Sequence, residues 1–472
     1  MTRFVTVPFN IVGGTYENRS RPISTQRTIN MYQQINPKAK SQVSLQSFPG
    51  QKPFSSTESA ADRGMHRMNE LLFRVVGEKL FKVNALGGHV ELGDVPGVER
   101  CIFTDDGENL VIVTEGKVYN WNDITDTFTV NTNINLVDVL AATVINNQII
   151  YTTANLSFVA QPGDPFDVSG LDAIGAESNP DKLVRDYAFN QTIYRFGIRT
   201  TEPWYNSGVG KPPIDRIEGQ QFSVGLGAIH SLTNTDRALY WLGDDNAVYR
   251  VAGGINERIS DDGLSNTLEE MTAVSDAIGY SFTLQGQDFY LITFPTGNRT
   301  FVVNESLGKE GWFELASGTD GGSYSGTSLV QAYNKLLVAN RGEILELSIN
   351  EYTQNSDVIL RTRITDEIAP EDLGLDFDMM MMSTLTLKVE TGVGLITGQG
   401  ENPRIMVEAS TDGGRSYQHV SWVEIGRLGS NTELVDVDML ATGRSFRFRL
   451  TMSDPVPLTI SSAKIKVKGL MH

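Results

Sequence analysis

Apolar and polar positions along the chain fall into a unit that is written several times over. Within residues 69–83, the run Leu71–Val76 is apolar and β-branched, Gly77-Glu78 is turn chemistry, and 80–83 runs back. Residues 109–121 have the same form, with 110–113 turning at Glu115-Gly116 into 118–121. Residues 148–160 turn near Ala154-Asn155, and 192–205 are a looser copy. Residues 238–251 turn at 244–246, 288–304 at 296–298, and 335–347 at Arg341-Gly342. The hairpins start roughly 40–50 residues apart, the period of propeller blades and not of helical solenoids. One hairpin cannot bury its apolar face alone, so the units must stack around a common axis. The pattern therefore predicts an all-β chain. It is read as a β-propeller of about seven blades, or six because the fourth unit is the weakest, followed by a C-terminal β-sandwich-like domain.

Residues 1–60 lack the blade pattern and form a basic N-terminal segment. Arg3, Arg19, Arg21, Arg27, Lys38, Lys40 and Lys52 stand there against only Glu17 and Glu58. By composition it is a solvated loop region or an arm that docks on an acidic neighbour or on the acidic body itself, and one of its strands could complete the last blade and close the ring. The repeats occupy 61–350. Helical spacing is scarce; 265–277 is the best candidate, with Leu268, Met271 and Val274 on one face. Residues 164–181 and 204–221 read as insertions that reach partners. Residues 351–378 form a charged connector without strand alternation, and 379–472 read as the sandwich domain. Met379–Met382 opens that domain as core or interface filling. Along 445–450, Phe446, Phe448 and Leu450 alternate with Arg447 and Arg449, giving one apolar and one basic face.

Composition narrows the chemistry. The chain has 472 residues, 45 of them glycine, and a formal net charge of −18. That charge argues against general nucleic-acid affinity, which needs clustered Lys and Arg. The one cysteine, Cys101, excludes an internal disulfide and lies in 98–103, which reads as a buried strand. No run of about 18 apolar residues occurs, and Met1-Thr2-Arg3-Phe4 leads into no signal-like stretch, so a cytosolic product without a membrane span is expected. His66, His89, His230, His419 and His472 lack metal-ligand spacing. There is no G-x-S-x-G elbow and no phosphate-binding loop, and Gly392-Val393-Gly394 precedes no helix. Nothing argues for catalysis, a metal or a cofactor.

The sharpest short motif is Ser410-Thr411-Asp412-Gly413-Gly414-Arg415-Ser416-Tyr417, which resembles an Asp-box hairpin. Asp412 can accept from backbone N–H groups across the turn, Gly413 and Gly414 allow positive φ, and Tyr417 packs beneath. Ser410 completes the motif. A structural turn is the preferred reading; sialidases carry several such boxes, and there too the box is structural.

Two stretches resemble a known family. Arg19-Ser20-Arg21, then Gln26-Arg27-Thr28-Ile29-Asn30-Met31-Tyr32, followed by Ser47-Phe48-Pro49-Gly50, is similar to the start of the tail hub or nozzle proteins of short-tailed bacteriophages. These are also called packaged-DNA stabilisation proteins. Near the other end, the stretch from Arg404 through the Asp-box hairpin looks like that family's strand-turn element. So do Ile425-Gly426-Arg427-Leu428-Gly429, Arg444-Ser445-Phe446-Arg447-Phe448-Arg449-Leu450 and Ser453-Asp454-Pro455-Val456. Tyr417 stands where members of the family often have Trp. The resemblance implies a virion protein of a phage of enteric bacteria, assembled in the host cytoplasm. It implies a ring, a hexamer, below the portal and its adaptor ring protein. Its channel would retain packaged double-stranded DNA and later eject it, with a trimeric tail needle as plug and tailspikes around it. An acidic wall suits DNA that passes without being gripped. The N-terminal segment and the C-terminal domain, flanking the propeller, are expected to make ring or adaptor contacts. The competing readings are a glycan-binding or glycan-cleaving propeller, prompted by the Asp-box-like hairpin, and a monomeric propeller adaptor that binds peptides.

Overall fold

The computed structural model describes residues 3–20, 24–38, 42–175, 181–431 and 434–470. Arg21, Lys40 and His472 of the sequence reading lie outside them, as does part of the 164–181 insertion. Among the described residues, seven four-stranded antiparallel blades succeed one another. Five are separate sheets; the sixth and seventh belong to larger ones. Each hairpin read from the sequence forms the middle two strands of one blade, as Leu71–Val76 with Lys79–Val83 does in the first. The first strands of the blades, such as Asp62–Met68, Ile102–Asp105, Ala141–Ile145 and Leu183–Phe189, adjoin one another around the axis. The turn leaving them recurs as a left-handed pair at Asn69-Glu70, Asn146-Asn147, Asn190-Gln191, Gln285-Gly286 and Tyr333-Asn334. That backbone twist matches the twist of the strands it joins, and Asn and Gly bear it at least cost.

Packing between blades follows from the alternation of side chains along a strand. In the first blade Leu72 packs against Leu337 and Ile344 of the seventh, whereas Phe73 and Val75 pack against Leu110 and Ile112 of the second. In the fifth blade Tyr240 and Leu242 face Tyr290 and Ile292 of the sixth, and Leu239 and Trp241 face Phe196 of the fourth. The middle strands thus meet a neighbouring blade on each face; Gln287–Phe294 is buried throughout, and its centre, Phe289 to Ile292, is an apolar run.

The ring closes with a strand from the chain's beginning. Gly50–Ser56 pairs antiparallel with Glu343–Ser348 and supplies the fourth strand of the seventh blade. At the same joint, Asp62 of the first blade accepts from the Gly342 amide of the seventh at 2.9 Å. Arg74 pairs with Asp62 and donates to the Gly342 carbonyl at 3.2 Å, both side chains being fully buried.

The sandwich packs two sheets over one apolar core. One sheet runs Met31–Ile35, Val43–Ser47, Thr459–Leu470, Met379–Val389 and Val435–Gly443, with Val5–Phe9 also paired to Thr459–Leu470. The other begins at the sixth blade and continues through Thr25–Ile29, Arg361–Ile364, Arg447–Met452, Arg404–Ser410 and Gln418–Glu424. Met380 and Met382 point into the core.

Four local expectations differ from the structure. The helix is Asp262–Glu270, earlier than 265–277: the Asp261 carboxylate caps it by accepting from the Leu264 amide at 2.7 Å, and Met271 is already extended. The strand near Cys101 begins at Ile102, and Val98 is exposed in the loop before it. The connector contains Arg361–Ile364, a central strand whose two arginines are fully buried. Arg447, expected on a basic face, is buried as well, because that face meets the N-terminal segment. Cys101 is a packed thiol, pushed up to about 11 mainly by burial.

Asp62→Ala strands the Arg74 charge at the closing joint. It is expected to cost about 3–5 kcal/mol in denaturant unfolding, and adding Arg74→Met is expected to restore part of that loss.

Candidate functional site: the seam between propeller and sandwich

The N-terminal motif folds into the joint between the two bodies. Thr25–Ile29 lies between Trp312–Ser317 of the sixth blade and Arg361–Ile364 of the sandwich, pairing parallel with the first and antiparallel with the second. At Asn30 the chain leaves one sandwich sheet for the other through a left-handed residue, φ 55°. Its buried amide donates to the Ala316 and Leu360 carbonyls at 3.0 and 2.9 Å and accepts from the Ala316 amide at 3.0 Å. One side chain so ties the last strand of the sixth blade to the strand that enters the sandwich. Tyr32 and Phe48 pack against Phe289 and Phe313 of the sixth blade. Gly50 sits so close to the following loop that a Cβ would lie 2.4 Å from the Thr353 carbonyl oxygen.

Charge is concentrated here. Arg27 holds both carboxylate oxygens of Glu314 at 2.9 and 2.7 Å, and Arg299 reaches Glu314 and Glu17 at 2.7 Å each. Burial works against the charged form of Glu314, but Arg27 and then Arg299 outweigh it and hold its pKa below the ordinary glutamate value. Arg363 has no carboxylate. It donates to the Ile11 and Gly14 carbonyls at 2.8 and 2.9 Å, to Thr28 Oγ1 at 3.0 Å and to Gln26 Oε1 at 2.9 Å. Arg361 donates to the Asp454 and Tyr352 carbonyls at 3.0 and 2.9 Å. Burial lowers both arginines to about 10, so each remains a cation at neutral pH, its charge met by carbonyl and amide dipoles.

The Asp-box turn reaches the same seam. Asp412 Oδ1 accepts from the Arg415 and Ser416 amides at 3.0 Å each and from the Ser410 hydroxyl at 2.7 Å; Oδ2 accepts from the Ser416 hydroxyl at 2.6 Å. Those bonds, from Ser416 foremost, hold the carboxyl far below its ordinary value. Gly413 and Gly414 have φ of 73° and 80°. The half-buried Tyr417 ring lies under the Arg449 guanidinium at 4.6 Å. A Cβ on Gly414 would touch Tyr417, Arg447 and Thr25, so both stretches that carry the family resemblance meet here. A cavity of about 390 Å³ lies between them, lined by Arg27, Arg299, Glu270 and Tyr417. The polar groups of the turn are spent on the turn itself, and the arrangement is one of joining. Among the described residues no group of three His, Cys, Asp or Glu side chains is placed to hold a metal.

The family profile described as "Bacteriophage P22 Gp10, beta-propeller" matches residues 6–348, and "Bacteriophage P22 Gp10, beta-sandwich" matches 373–468. The chain belongs to the bacteriophage P22 Gp10 family. It is a structural protein of the phage tail, of the packaged-DNA stabilisation or tail-nozzle type. Within the Gp10 propeller match lie strands, such as Met31–Ile35 and Val43–Ser47, that the fold gives to the sandwich. No curated relative matches. Solved structures with a similar arrangement include U3-55K, at 10% identity over 63% of this chain and 99% of that one, TM-score 0.42. The Neurospora crassa Pan2 WD40 domain gives 8%, 64%, 96% and 0.43, and the computationally designed Ika8 protein 12%, 63%, 100% and 0.39. Among the described residues no helix is long and apolar enough to cross a membrane.

Three of the basic N-terminal residues dock on the acidic body itself: Arg27 is spent on Glu314, Lys52 lies 3.5 Å from Glu346, and Arg19 pairs with Glu269 on the helix. The sequence reading passed over Arg361 and Arg363. Their signal was the alternation Arg-Thr-Arg-Ile, ordinarily the mark of a strand with one wet face.

Glu314→Gln is expected to cost about 2–3 kcal/mol near neutral pH. Because the folded pKa is depressed, the carboxylate's contribution is present above about pH 4.5 and is lost as pH falls through the folded value. The stability gap between variant and parent should therefore narrow in acid, as read by chemical denaturation across pH. Asp412→Ala is expected to speed amide exchange at Arg415 and Ser416 while leaving the propeller's protected amides unchanged.

Proposed function

We propose that this protein forms a hexameric ring, the tail hub or nozzle, below the portal and its adaptor ring protein. It retains packaged double-stranded DNA and forms the channel through which the genome leaves. A trimeric tail needle closes the channel, and tailspikes attach around it. The work is architectural, with no catalytic step and no cofactor, and assembly takes place in the host cytoplasm. The observation that carries this reading is the family match over both propeller and sandwich.

Physical features support it. The net charge of −18 disfavours gripping DNA, which suits a conduit. The seam joins propeller and sandwich through paired strands, which suits a component under load. Gln418–Glu424 and Val435–Gly443 are end strands of the two sandwich sheets and carry exposed Trp422 and Leu440, an edge suited to a second copy of the chain. The glycan reading has no observation of its own beyond the Asp-box hairpin, whose polar groups are internally consumed.

Sedimentation of the protein alone and with a portal–adaptor complex, followed by negative-stain imaging, tests the proposal. Addition of about six copies below the adaptor, with DNA retained in the particle, is the expected result. A protein that ignores the complex but binds or trims surface polysaccharide would overturn it.

A further inference from the structure

One mouth of the propeller axis gathers positive charge within this acidic chain. Arg100 stands just ahead of the first strand of the second blade, Arg185 lies on Leu183–Phe189 of the fourth, and His230 precedes Thr233–Asn234 of the fifth. First strands run in the same sense in every blade, so all three residues sit at the same end of the axis. Arg100 reaches across to Ser328 Oγ of the seventh blade at 3.0 Å. Arg185 donates to the Ile229 carbonyl at 2.9 Å, and the neighbouring His230 carbonyl accepts from the Gly279 amide of the sixth blade at 2.8 Å.

These guanidiniums differ from the structural ones elsewhere. Arg63 makes four hydrogen bonds at 2.6–3.1 Å, Arg363 makes four, and Arg195 is paired with Asp186. Among the described residues, Arg100 and Arg185 make one side-chain hydrogen bond each and no ion pair. Arg185 is 8% exposed, and its buried Nε has no partner. A guanidinium carries five N–H donors, so most of this capacity is unused. Tyr187 offers Arg185 a ring face at 5.2 Å, and Tyr280 lies near Arg100. The nearby carboxylate, Asp62, is engaged by Arg74 and the Gly342 amide. Burial first, then Arg100 and Arg185, push His230 down to about 3, so its ring is neutral and can donate without adding charge.

Two fixed cations with unfilled donors and no counter-ion are costly in a half-buried place. An oxyanion would neutralise them and fill the donors through forked bonds. We propose that this mouth of the propeller binds a small oxyanion of the phosphate or sulfate class, held by Arg100 and Arg185 with His230 as a neutral donor.

Calorimetric titration of the full-length protein with sodium phosphate, in chloride buffer at constant ionic strength, tests it. One saturable site displaced by sulfate is expected, with affinity at least about tenfold weaker in Arg100→Gln. The Arg100→Gln variant should also lose the phosphate-induced rise in melting temperature while melting no lower than the parent without phosphate. Arg185→Lys, which keeps the charge but not the fork, should bind more weakly than the parent. If that variant does not fold, the half-buried Arg100 decides alone. A short single-stranded oligonucleotide titrated alongside separates the sources: tighter, Arg100-dependent binding of the oligonucleotide assigns the site to backbone phosphate, and the reverse order to the free ion. No saturable phosphate binding, or equal binding by Arg100→Gln, would overturn the proposal.

Discussion

Two-sided burial of the blades is the constraint on which the rest of the structure depends. A middle strand such as Gln287–Phe294 sends alternate side chains into two different interfaces, one with each neighbouring blade. No blade can therefore be the end of a row without leaving one apolar face wet, and the row must close. Closure is made where the ends of the row meet, by Gly50–Ser56 as a borrowed fourth strand and by the buried Asp62–Arg74 pair clasping the Gly342 turn. Because the borrowed strand comes from the N-terminal segment, closing the ring also fixes where that segment enters the propeller.

The seam is a consequence of that threading. A chain that must supply both a strand of the sandwich and a strand of the seventh blade crosses between the bodies through Thr25–Ile29, Asn30 and Met31–Ile35. Around the crossing, main-chain carbonyls of Ile11, Gly14, Tyr352 and Asp454 take side-chain donors. Arg361 and Arg363 fill that role, a guanidinium being the one side chain whose rigid fork can serve several carbonyls at once. Glu314, between Arg27 and Arg299, adds a charged lock on the propeller side. Such buried charges add little net stability against an apolar replacement, but losing a single partner is severe, which favours one geometry over its alternatives.

A tail component gains from that specificity. Propeller and sandwich share a continuous sheet through Thr25–Ile29, so the joint between them is made of main-chain pairing as well as side-chain contacts. The net charge of −18 works against nucleic-acid binding by the chain as a whole, whereas Arg100 and Arg185 place positive charge at one axis mouth.

The seven hairpins were legible in the sequence because strands packed on both faces are written as predominantly apolar, β-branched and aromatic runs around a turn, a local signal. So was the Asp-box turn, whose Ser410, Asp412, Gly413 and Gly414 interact within five residues. The first and fourth strands of the blades were not legible, being mixed in polarity; Thr233–Asn234 has no pattern of its own and exists through pairing with Leu239–Leu242. The buried arginines were misread for a related reason. Arg361, Arg363 and Arg447 have the alternation of a wet face; the N-terminal segment, more than 300 residues away in sequence, meets Arg363 and Arg447, while Arg361 turns in on Tyr352 and Asp454. The sequence by itself determined the repeating unit, the two-part layout and the local turns, because those depend on neighbours along the chain. Tertiary structure alone decided which strand closes the ring, the seam and the placing of Arg100 and Arg185 at one axis mouth, because each joins residues whose nearness comes from the closing of the ring.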